Sequence, residues 1–194
     1  VENPDMGPVQ AALLAYLGAY PDGRYVPTAQ YTLGEISFNR GEYERAHDYF
    51  ADIERRYPDS EAAARTRQTL PKVLEAMAYR EYSAIMDDYY RALNDQNREL
   101  LRAMIPRLEA VWDKYPVTYS GVGALVNVGV CYQNLEEWAT AKAAFDRVVA
   151  EGQSGGGPVA AVMSAPLIRI PARALLFEAA RLMQERGVQH LVVT

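Results

Sequence analysis

The sequence predicts an all-α chain built from repeated antiparallel helix pairs. Three observations carry that expectation. Glycine and proline fall as punctuation between stretches whose apolar residues recur with helical periodicity, and no Asn-Gly or Asp-Gly turn separates alternating strands. The dipeptide Tyr-Pro occurs at Tyr20-Pro21, Tyr57-Pro58 and Tyr115-Pro116, each time closing an amphipathic stretch. Proline disfavours helix in the residue before it, so each pair marks a helix end. One constellation of small and large residues returns at a fixed offset.

The elements follow in order. A first repeat-like unit covers about 9–24. The second, about 27–60, lies between prolines 37 residues apart, room for two short helices and their turns. It breaks at Arg40-Gly41; Gly34 and Ala46 are the small residues where two helices approach, and Leu33, Tyr43, Phe50 and Ile53 fill the space around them. The same arrangement returns 95 residues on in a unit over about 122–155: Val128-Gly129 stands for Leu33-Gly34, and Tyr132, Trp138, Ala141, Phe145 and Val148 follow.

The stretch between, about 61–118, is irregular, because Pro58 and Pro116 are 58 residues apart. The pattern there predicts a short helix at 61–69 and a long one from Pro71 to Leu93. Asn94 or Asp95 then caps a further helix towards Tyr115, with Pro106 inside it as a kink. A glycine-rich break is expected at 152–158, and Pro171, at a favoured first helical position, opens a C-terminal helix over 171–187 that covers the last core face. Val159–Ile170 is apolar and irregular, and His190–Thr194 is strand-like. All of this is expected to form a single domain over 1–194.

Composition limits the function. Hydrophobic residues make up 49% of the chain and charged residues 23%, enough apolar side chain for a packed core. Net charge is −5 with both signs scattered, whereas nucleic-acid binding needs a clustered basic face. No uninterrupted apolar run reaches the ~18 residues of a membrane span. The chain opens on Val1, as a processed or trimmed product would, with no signal peptide or lipid-attachment cysteine at its start.

Chemistry finds no foothold. Glu44 and His47 make a single Glu-x-x-His, and a di-iron site needs two. His47 and His190 are too few for a zinc site or a histidine triad. Cys131, the single cysteine, reads as a buried hydrophobe, and Asp87-Asp88 as a solvated face. No phosphate-cradling glycine motif is present, and Gly155–Gly157 reads as linker. We therefore expect no catalytic residue, no metal and no cofactor. Tyr79, Tyr82, Met86, Tyr89 and Leu93 form one stripe, which packs into the core or meets a partner.

The residues at Leu33-Gly34, Ala46 and Phe50, with their counterparts 95 positions later, resemble the tetratricopeptide repeat, a helix–turn–helix unit of about 34 residues. The string Tyr20–Glu35, closed by Tyr57-Pro-Asp-Ser60, is similar to the slightly long repeats of bacterial envelope proteins, such as the periplasmic partner of the Tol–Pal system and the lipoprotein of the barrel-assembly machinery. The resemblance covers about residues 9–60 and 122–151. It implies a right-handed α-solenoid and a non-enzymatic adaptor, periplasmic or associated with the outer membrane, that holds another protein, a peptide or a helix in its concave groove. It also implies the lining of that groove, the first helix of each repeat: Tyr31, Glu35, Phe38 and Asn39 from one, and Val126, Val130, Gln133 and Asn134 from the other. The first contacts expected are Tyr31, Phe38 and Val130. A carboxylate clamp of the chaperone-binding kind would need lysines where Tyr31, Glu35, Val126 and Val130 stand. The alternative is a self-associating subunit that uses the apolar C-terminal segment, a homo-oligomer.

Overall fold

A computed structural model describes residues 6–153 and two short strands, 168–170 and 191–193. The described residues form seven helices: α1 Gly7–Ala19, α2 Val26–Asn39, α3 Tyr43–Arg56, α4 Glu61–Asn94, α5 Arg98–Lys114, α6 Tyr119–Asn134 and α7 Trp138–Gln153. The fold is the all-α architecture of a tetratricopeptide-like α-solenoid. A parallel pair of three-residue strands adds to it: β1 Ile168–Ile170 and β2 Leu191–Val193, with Ile168 opposite Leu191 and Ile170 opposite Val193. β2 falls where the sequence is strand-like. The expected helix over 171–187 lies outside the described residues. The chain divides into two compact units, Val1–Ser83 and Ala84–Thr194.

Each Tyr-Pro ends a helix in the same way. The Tyr57 N–H donates to the Ile53 carbonyl at 2.8 Å, and the Ser60 N–H donates to the Tyr57 carbonyl at 3.0 Å. The Ser60 hydroxyl donates to the same carbonyl (2.7 Å) and accepts from the Ala63 N–H (3.1 Å), so one side chain closes one helix and opens the next. Thr118 repeats this after Tyr115: its hydroxyl donates to the Tyr115 carbonyl (2.8 Å) and accepts from the Gly121 N–H (3.0 Å). Gly121 is required there, because a Cβ on it would lie 2.0 Å from the Tyr115 carbonyl oxygen.

The helix pairs also share one turn. Gly41 has φ +76°, its N–H donates to Phe38, and the next N–H, of Glu42, donates to Ser37. Glu136 (φ +64°) and Gln96 (φ +48°) hold the same left-handed position, with Glu137 donating to Tyr132 and Asn97 to Ala92. The turn at Gln96 shows that the end of α4 and α5 make a third hairpin.

Between the regular hairpins the structure corrects two expectations. Residues 61–94 are one continuous helix, with Pro71 inside it, rather than two. Pro71 is solvent-exposed, so water can serve the carbonyl one turn back that loses its partner. The cap of α5 is Asn97, whose side chain accepts from the Leu100 N–H at 3.0 Å, and not Asn94 or Asp95, which belong to α4 and its turn. Pro106 lies inside α5 as expected.

Within the first unit the core is Val26, Leu33, Phe50, Ile53, Ala63 and Val73 with their neighbours; within the second it includes Leu101, Leu108, Leu125, Val128 and Leu135. Both repeats place a glycine against a phenylalanine ring. A Cβ on Gly34 would meet Phe50 Cε1 at 2.5 Å, and one on Gly129 would meet Phe145 Cε1 at 2.5 Å. Ala46 and Ala141 are buried as the pattern requires.

Candidate functional site

α2 and α6, the first helices of their hairpins, carry the eight candidate residues, four in each unit. Each helix alternates core and open positions, and the candidates fall on both.

In the first unit Tyr31 is a core residue, only 4% exposed. Its ring lies tilted on Phe50, centroids 5.5 Å apart, under the Arg65 guanidinium at 4.2 Å. Its hydroxyl shares a 3.1 Å hydrogen bond with Thr69 Oγ1. Glu35 is half-exposed, one of its carboxylate oxygens 4.0 Å from Arg65 Nη2. Phe38 is half-buried against Tyr43 at 5.6 Å, and Asn39 is exposed. The structure thus gathers Tyr31 and Glu35 around Arg65, and leaves Phe38 and Asn39 at the turn end of α2. Arg65 and Thr69 come from α4, in the stretch without a legible repeat, so no sequence signal pointed to them.

In the second unit Val126, Val130 and Gln133 are half-buried and Asn134 is exposed. The Asn134 amide donates to the Val130 carbonyl at 2.8 Å, which trims the helix end. Beside them Asn127 does what Thr69 does in the first unit: its Oδ1 accepts from the Tyr89 hydroxyl at 3.1 Å. The tyrosine stripe therefore splits. Tyr89 is buried at 3%, Tyr82, Met86 and Leu93 are half-buried, and Tyr79 is 62% exposed. Burial, with the nearby Glu109 and Glu137 carboxylates, pushes the Tyr132 hydroxyl above its ordinary pKa.

Several titratable groups elsewhere are paired within the fold. Asp52 accepts from the Gln30 amide at 2.7 Å and pairs with Arg55 and Arg56. Desolvation pushes its carboxyl up, and these hydrogen bonds and charges outweigh it, leaving the pKa below the usual value. Glu44 pairs with Arg80, and His47 Nδ1 lies 3.7 Å from Asp48. Burial pushes the Cys131 thiol up to about 12. Among the described residues no group of three or more His, Cys, Asp or Glu is placed to hold a metal ion.

What the geometry defines is a protein of stacked helix hairpins whose first helices present mixed apolar and amide side chains. Two of those hairpins match the tetratricopeptide repeat family, over residues 28–60 and 124–151, which supports that family for α2–α3 and for α6–α7. No curated protein matches the chain in sequence. Tetratricopeptide repeats point to protein–protein interaction as the chain's work.

Proposed function

We propose that the chain is a non-enzymatic scaffold that binds other proteins as one subunit of a bacterial cell-envelope assembly, in the periplasm or at the outer membrane. The observation that carries the binding role is the pair of tetratricopeptide hairpins. On their first helices Glu35, Phe38, Val126, Val130 and Gln133 are not spent on the core, being only partly buried. Asn39 and Asn134 add exposed amides at the helix ends. Such apolar side chains flanked by amides suit an extended or helical peptide, with hydrogen-bonding groups at the rim. Tyr31 acts from below, as the buried support of Glu35 and Arg65. The envelope setting rests on the long Tyr-Pro repeats, whose string Tyr20–Glu35 is similar to those of envelope proteins. Among the described residues no helix is long and apolar enough to cross a membrane.

The test is capture from envelope extracts on the immobilised chain, read by mass spectrometry beside a Val126→Asp/Val130→Asp variant. A defined protein held by the parent and lost by the variant, with an unchanged melting curve, is the expected result. Identical captures on both would overturn the assignment of the surface. A second reading, self-association, is favoured by the C-terminal strand pair, whose two strands each have one ladder neighbour among the described residues. Light scattering on the isolated chain separates them: a scaffold for other proteins is monomeric.

A further inference from the structure

We draw no further inference here: the strongest candidate, the uncharged face of α6 around Val126 and Val130, which Asn127 ties to Tyr89 and Met86 of α4, belongs to the candidate site already described, and nothing in the structure shows what covers it.

Discussion

Gly34→Ala adds a single methyl group, and the structure says where it goes. The new Cβ would lie 2.5, 2.8 and 3.0 Å from Cε1, Cζ and Cδ1 of Phe50, against an ordinary contact near 3.5–4 Å. The ring must therefore retreat by about 1 Å. It has nowhere to go, being fully buried and held against Tyr31. Overpacking of this kind costs ~1–3 kcal/mol, and the helix propensity regained by replacing glycine returns ~0.5–1 kcal/mol. The net loss is about 1–2 kcal/mol, a fall in Tm of roughly 2–8 °C for a chain of this size. Gly129→Ala meets Phe145 at the same 2.5 Å, yet Phe145 is only half-buried, so its ring can swing outward and the loss should be smaller. Leucine in place of alanine should cost more at both sites. Thermal unfolding followed by circular dichroism reads all of these, and Phe50→Leu should partly rescue Gly34→Ala with a coupling of ~0.5–3 kcal/mol. A Tm for Gly34→Ala equal to or above the parent's, or strictly additive single and double mutants, would refute the close-approach reasoning.

Further expectations concern other sites. Gly121→Ala sets a Cβ against backbone, the Tyr115 carbonyl, so a denaturant melt should show a loss at or above the ~1–3 kcal/mol range of overpacking. Tyr31→Phe removes only the hydroxyl bond to Thr69 and should cost ~0.5–1.5 kcal/mol; Tyr31→Ala empties a core site and should cost ~3–5 kcal/mol in the same assay. Cys131 should resist a disulfide-exchange reagent at pH 8 and react only on unfolding, since its folded pKa is about 12. Because the folded pKa lies above the ordinary 9.0, the stability this thiol contributes is whole below pH 9.0 and is lost as pH rises towards about 12; Cys131→Ala should flatten that part of the profile. Asp52, with its pKa lowered, contributes stability above the usual carboxylate range and loses it as pH falls below 3.8; Asp52→Asn should remove that acid dependence.

Much of the fold was legible because it rests on local signals. Tyr-Pro pairs stop helices by proline sterics alone, and the glycine, alanine and phenylalanine of each hairpin are dictated by the distance between two helices. The irregular stretch was not legible in the same way. Pro71 reads as a helix end, yet an exposed proline gives up one hydrogen bond and a long amphipathic helix tolerates that. The candidate site was half legible. The period of α2 identifies which residues its repeat turns inward, but whether Tyr31 is anchor or core depends on Arg65 and Thr69, two turns into a helix with no repeat signature. The tyrosine stripe failed for a related reason: Tyr79 and Tyr89 lie in different units, and each unit decides separately what it covers.

The shared hairpin turn shows where stability has been left uncollected. Gly41 suits its left-handed backbone, whereas Gln96 and Glu136 hold the same conformation against their own Cβ atoms, a steric burden of ~1–2 kcal/mol each. Both side chains are exposed, so replacing them disturbs no packing. An engineer wanting a hardier version of this chain could begin at these two positions with glycine and leave every core and candidate binding residue untouched.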